Sequence, residues 1–217
     1  MVAGSGPADP LQTWRSAERM KLFTDAVVAI ALTLLILPLL ESVSEAARAG
    51  LDTGRFLGEH GDQLFSFALS FAVIAAFWAQ HHTLFMGVER WTGLLLLLNI
   101  CWMFTIVWLP VPTAMAGTMR TDALQKVLYI GTMLVSSLVM VAMYAVLERQ
   151  PALRGPDAPP TRPGRVGSLV LVGLFALALA LSLIVPRLGY LPTLLLFFAR
   201  AIERRIVHHL DGRDRPR

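Results

Sequence analysis

Six stretches of this 217-residue chain, Leu22 to Leu40, Leu64 to Leu84, Gly93 to Val111, Leu124 to Leu147, Val166 to Val185 and Gly189 to Ala199, are apolar and almost free of charge. They run from 11 to 24 residues, and about 20 residues of helix are needed to cross the roughly 30 Å hydrocarbon core of a bilayer. In lipid every backbone polar group must be satisfied within the chain, so spans of this length are helical. The windows take up more than half the sequence and leave no room for a separate soluble domain. With 55% hydrophobic and 16% charged side chains and a mean hydropathy of +0.60, the chain lacks the polar surface of a soluble protein of its size. It reads as an all-α integral membrane protein of six transmembrane helices.

The distribution of charge orients it. With the amino terminus inside, fourteen of the nineteen basic residues fall on inner segments, among them Arg15, Arg19, Lys21, Arg90, Arg149, Arg154, Arg162 and Arg165. The outer loop after the first span holds Glu41, Glu45, Asp52, Glu59 and Asp62 against two arginines. The positive-inside rule therefore predicts both termini in the cytoplasm and a multi-pass protein of the cell inner (plasma) membrane. Nucleic acid is excluded as a partner, because the basic residues flank apolar spans without aromatic interleaving.

Residues 1–13, rich in Gly, Pro, Ala and Asp, are expected to be disordered. The body is one six-helix transmembrane domain over 14–210, followed by a basic tail over 211–217. The run from Glu45 to Leu57 reads as a short interfacial helix. The linker 150–165 contains five prolines and is expected to be extended and hydrated. Pro186, Gly189 and Pro192 mark a turn between the last two spans. Cys101, the single cysteine, reads as a small core residue. His208 and His209 fit a lipid-facing basic surface. No Walker loop, H-E-x-x-H, G-x-S-x-G or Cys-x-x-Cys occurs, so an enzyme has no support.

Chemistry concentrates in the first span. Asp25 lies six residues, or about 9 Å of helix, inside Arg19, and a carboxylate at that depth costs a few kcal/mol unless paired or wet. Two readings stand: Thr24 and Asp25 cap a helix start, or Asp25 joins a polar cluster. His81, His82 and Asn99 are its candidate partners at similar depth. On the same helix Phe23, Val27, Ile30, Leu34, Leu37 and Glu41 form one stripe in alternating steps of four and three. Such a stripe faces lipid or core, or lines a pore. Glu41 at an acidic outer mouth and the hydroxyl of Thr33 favour the pore, since acidic mouths attract cations and apolar rings gate by dewetting.

Arg19, Phe23, Thr24 and Asp25 in the spacing R-x-x-x-F-[ST]-D, the following run to Leu34-Leu35, and the block Phe77-Trp78-Ala-Gln-His81-His82-Thr-Leu-Phe85 leading to Leu98-Asn99 and Leu109-Pro110 resemble the prokaryotic branch of the transmembrane protein 175 family of potassium channels. Thr24 stands where that family commonly has serine. The resemblance implies a homotetramer with helix one of each subunit around a central pore and no carbonyl filter; no T-V-G-Y-G occurs here. It places the narrow isoleucine constriction on Ile30, further pore layers on Leu34 and Leu37, and a threonine layer on Thr33. It gives Arg19, Phe23 and Asp25 a structural and gating role at the inner ends of helices one to three.

The function expected is a potassium-permeable cation channel with potassium as the permeant ion, no cofactor and no resident metal. A secondary transporter for a cation or proton, with Asp25 as carrier, is the alternative. Transporters commonly show repeated halves or helices broken near the midplane, and the sequence displays neither plainly.

Overall fold

The computed structural model describes residues 10–185, 187, 189–199 and 205. Among the described residues eight α-helices follow one another: α1 (Pro10–Leu34), α2 (Leu37–Arg48), α3 (Thr53–Glu59), α4 (Gly61–Met86), α5 (Gly93–Trp108), α6 (Pro110–Thr118), α7 (Ala123–Arg149) and α8 (Thr161–Ile184). Short 3-10 turns occupy Pro151–Leu153 and Leu191–Phe198. Among the described residues, five segments are long and apolar enough to cross a membrane: Ala17–Arg48, Gly61–Met86, Gly93–Thr118, Ala123–Arg149 and Thr161–Ile184. The sixth expected span has only its start, 189–199, among the described residues. There it forms the 3-10 turn, preceded by Gly189 at φ +52°, a backbone region glycine enters without steric cost.

Two spans are broken, an interruption the sequence does not display plainly. Pro38 has no N–H to offer the Leu34 carbonyl and its ring crowds the preceding turn, so α1 ends at Leu34 and α2 restarts at Leu37. Just beyond the break the chain is tied down at the Pro38 carbonyl, which accepts at 3.0 Å both from Gln63 Nε2 on α4 and from Ser42 Oγ within α2. Pro110 and Pro112 break α5 from α6 in the same way.

Three further expectations are corrected. The interfacial helix over 45–57 does not form as one piece; α2 runs to Arg48, Gly50 turns the chain at φ +71°, and α3 starts at Thr53 behind the Asp52 cap. The linker 150–165 is not simply extended and hydrated. Leu153 is buried, Arg154 pairs with Val88 in an isolated antiparallel bridge, and α8 already begins at Thr161. Cys101 is exposed rather than a core residue. At the amino end α1 begins at Pro10, inside the stretch expected to be disordered, and residues 1–9 lie outside the described residues.

The core lies where α4, α5 and α7 meet, filled by Phe77, Trp102, Tyr129, Ile74, Ile106, Met133 and Met140, all essentially without exposed surface. Because lipid tails are as apolar as these side chains, close packing and buried hydrogen bonds hold the helices together more than removal from water does. Serine and threonine supply the bonds: Ser70 and Tyr129 hydroxyls meet at 2.6 Å, Thr113 donates to Ser70 at 2.8 Å, and Thr105 pairs with Ser136. α8 packs along α7, and α1 lies against α4 and α5 with one face only. That one-sided packing sets what α1 leaves free.

Candidate conduction surface and inner polar cluster

The face of α1 that meets the bundle carries Val28, Ala31 and Leu35, with Leu39 beyond the break, none more than 6% exposed. The stripe lies on the opposite face. Phe23, Ile30, Leu34 and Leu37 are 57%, 59%, 39% and 49% exposed in the subunit, and Thr33 and Glu41 are exposed beside them. Val27 departs from the stripe, being partly buried against the core. Thr33 Oγ1 donates to the Ile30 carbonyl at 2.7 Å. Its proton is thus committed to the helix while the oxygen lone pairs stay available on the exposed face.

Thr24 points inward, fully buried. Neither Thr24 nor Asp25 caps a helix start, because α1 begins at Pro10. Thr24 Oγ1 donates to the Met20 carbonyl at 2.9 Å, so toward Asn99 it can only accept. Asn99 accordingly turns its amide nitrogen to Thr24, at 3.0 Å, and its Oδ1 to His81 Nε2, at 2.7 Å. An oxygen on that side requires the His81 proton on Nε2, which fixes the tautomer. The imidazole is held flat against Trp102, ring centres 4.2 Å apart and 16° from parallel, and tilts on Phe85 at 4.4 Å. Three helices, α1, α4 and α5, are joined by one ordered chain of hydrogen bonds.

Asp25 is not bonded within that chain. Its Oδ1 accepts from the Trp78 indole N–H at 2.9 Å, and Trp78 in turn lies 5.5 Å from the His82 ring. The hydrogen bonds thus run to Trp78 where sequence reasoning had set His81, His82 or Asn99 beside Asp25. Trp78 had a readable signal: an indole donor three residues before His81 on the same helix. His82 is exposed at the edge of this second contact, and Arg19 and Phe23 are exposed outside both. Asp25, His81, His82, Glu18, Lys21 and Glu89 all border one cavity of about 580 Å3 closed by the linker at 155–159. His208 and His209 lie outside the described residues. Among the described residues no group of three His, Cys, Asp or Glu side chains is placed to hold a metal.

A family model described as the endosomal/lysosomal potassium channel TMEM175 matches residues 19–110, the segment that contains both the stripe and the cluster. A potassium channel of Streptomyces collinus is 34% identical over 178 residues, 76% of this chain and 85% of that protein. The mouse endosomal/lysosomal proton channel TMEM175 is 38% identical over 92 residues, 39% of this chain but only 18% of that longer protein. The fold matches the crystal structure of a lysosomal potassium-selective channel TMEM175 homolog from Chamaesiphon minutus with a TM-score of 0.68 at 24% identity, covering 86% of this chain and 98% of that one. Together with the Streptomyces relative, matched over most of its length, these likenesses show that the chain belongs to the TMEM175 family.

Proposed function

We propose that the chain is one subunit of a potassium-permeable cation channel in the cell inner membrane, a homotetramer with α1 and α2 of each subunit around a central pore. The observation that carries this reading is the exposed stripe Ile30, Leu34, Leu37 and Glu41 on a helix whose opposite face is fully used by the bundle. The family is one of channels and not of enzymes. Ile30 forms the narrow constriction, Leu34 and Leu37 the next layers, Thr33 the hydroxyl layer and Glu41 the acidic outer mouth. Potassium is the permeant ion, with no cofactor. Six spans place both termini in the cytoplasm. Arg19, Phe23 and Asp25 hold the inner end of α1 and set its gating.

Purified protein in potassium-loaded liposomes should discharge a potassium gradient electrically and give single-channel currents. A transporter reading draws on the broken segments α1–α2 and α5–α6, the form that ion sites of transporters commonly take. It requires flux that is silent without a counter-ion. Gradient discharge that depends strictly on such an ion would overturn the channel.

A further inference from the structure

A second cavity, of about 760 Å3, runs between α4 and α8, within the range of about 300–1,000 Å3 typical of ligand sites. Its depth is apolar, with Leu69, Val73 and Phe77 on α4 facing Leu171 and Phe175 on α8. Its width comes from small residues: Ala72, Ala76 and Ala79 on one wall and Gly164 and Gly167 on the other. Toward the α7–α8 linker the lining turns polar, with Gln80, Thr83, Thr161 and Arg154.

At that polar end two side chains carry atoms that are shut from solvent and have no hydrogen-bond partner, Arg154 Nε and Gln80 Oε1. One other atom of each group is engaged. Arg154 Nη2 donates to the Pro159 carbonyl, and Gln80 Nε2 reaches the Gly164 carbonyl at 3.5 Å. An orphaned donor and an orphaned acceptor at the mouth of one cavity require explanation, because buried polar atoms in folded proteins are almost always paired.

We propose that this groove binds an anionic glycerophospholipid whose headgroup carries hydroxyls, one acyl chain lying between α4 and α8. The phosphodiester accepts from Arg154 Nε, a charge-assisted bond, and a headgroup hydroxyl donates to Gln80 Oε1. The apolar depth takes the chain. Both walls belong to spans long and apolar enough to cross a bilayer, so lipid is the solvent of the groove. From Glu148 to Arg165 the sequence holds four arginines against two acids, which favours an anionic headgroup over a zwitterionic one. The proposal rests on the chain being embedded in a membrane and not on what it conducts.

Native mass spectrometry of the full chain, purified in detergent and titrated with phosphatidylglycerol or with phosphatidylcholine of the same acyl length, tests it. The wild type should retain phosphatidylglycerol about fivefold better, the worth of the one hydrogen bond, headgroup hydroxyl to Gln80 Oε1, that phosphatidylcholine cannot make. Arg154→Gln should lower retention of both lipids about tenfold, the worth of one hydrogen bond to a charged group, Arg154→Lys should recover part of it, and Gln80→Leu should bring phosphatidylglycerol down to the phosphatidylcholine level. Ala76→Trp, at an exposed position on the groove wall, should cut retention of both lipids. Equal retention of the two lipids by the wild type overturns the proposal, as does retention untouched by Arg154→Gln or a preference that survives Gln80→Leu. So does retention untouched by Ala76→Trp, the result expected if a neighbouring subunit or the chain beyond Ala199 fills the groove instead.

Discussion

Asn99 of α5 donates its amide N–H to Thr24 Oγ1 of α1 across 3.0 Å, and neither residue has any exposed surface. Seventy-five residues apart in the chain, the two fix how α1 sits on the bundle, and with it the direction in which the stripe on the other face points.

Asn99→Ala should therefore destabilise the protein by about 1–3 kcal/mol, because it strands the buried imidazole N–H of His81 and removes the acceptor's only cross-helix donor. Thr24 keeps its bond to the Met20 carbonyl, so the loss centres on His81. Thermal unfolding in detergent measures it. An unchanged midpoint would show that water replaces the asparagine at no cost and that the cluster does not hold α1.

The Asp25–Trp78 bond at 2.9 Å lies on partly exposed side chains, where competition from water and counter-ions lowers its worth. A double-mutant cycle of Asp25→Ala and Trp78→Phe should give a coupling of about 0.5–1.5 kcal/mol, below the Asn99 effect. From Ile30 back to Asp25 is about 500° of helical rotation, some 140° off the stripe, so Asp25→Ala should change stability more than ion preference. Altered selectivity in a mutant of normal stability would move Asp25 into the conduction path.

How far the residues alone reach is clear from this pair of contacts. Depth along a helix follows from counting at 1.5 Å per residue, and that was enough to gather Asp25, His81, His82 and Asn99 at one level of the membrane. Which of two adjacent side chains meets which partner depends on the rotation of α1 against α4 and α5, which packing decides. Apolar length located five spans. It did not reveal the interruptions at Leu35–Ile36 and Leu109, since a proline bends some membrane helices and breaks others according to how the neighbouring helices pack around it. Nor could composition place the proline-rich linker, which is held by backbone bonds to a loop more than sixty residues earlier in the chain.

At Ile30, four copies of a β-branched apolar side chain on one level would exclude a hydrated ion by dewetting. Ile30→Asn should raise potassium flux in liposomes severalfold. The residue is 59% exposed in the subunit and outside the core, so folding should survive the change. Unchanged flux through a correctly assembled protein would remove Ile30 from the constriction.

Thr33→Ala removes the hydroxyl whose proton goes to the Ile30 carbonyl and whose lone pairs face outward with the stripe. The expected result is a lower potassium preference over sodium, read from reversal potentials in mixed salt, with thermal stability within about 0.5 kcal/mol of the wild type, as for an exposed surface site. Identical reversal potentials would assign selectivity to other oxygens.

The linker carries the last prediction. Gly155 N–H donates to the Gly87 carbonyl at 3.0 Å and Glu89 N–H to the Leu153 carbonyl at 2.9 Å, so the segment after α7 is latched to the loop after α4. Gly87 makes the latch possible: a β-carbon there would stand 2.7 Å from Ala158 Cα and 3.2 Å from Pro159 Cδ, too close for backbone and ring atoms to give way cheaply. Its own φ is −95°, so any effect of substitution is steric and not a matter of backbone conformation. Gly87→Val should prise the linker off at a cost of about 1–3 kcal/mol and open the peptide bond after Arg154 to trypsin, which the bridge with Val88 otherwise protects. Gly58→Ala, at a glycine with nothing within 4 Å, should leave the digestion pattern as it is. If the linker of Gly87→Val stays as resistant as the wild type, the latch is held by something other than this close approach, and the contact between the two loops has no part in closing the cavity beside Asp25.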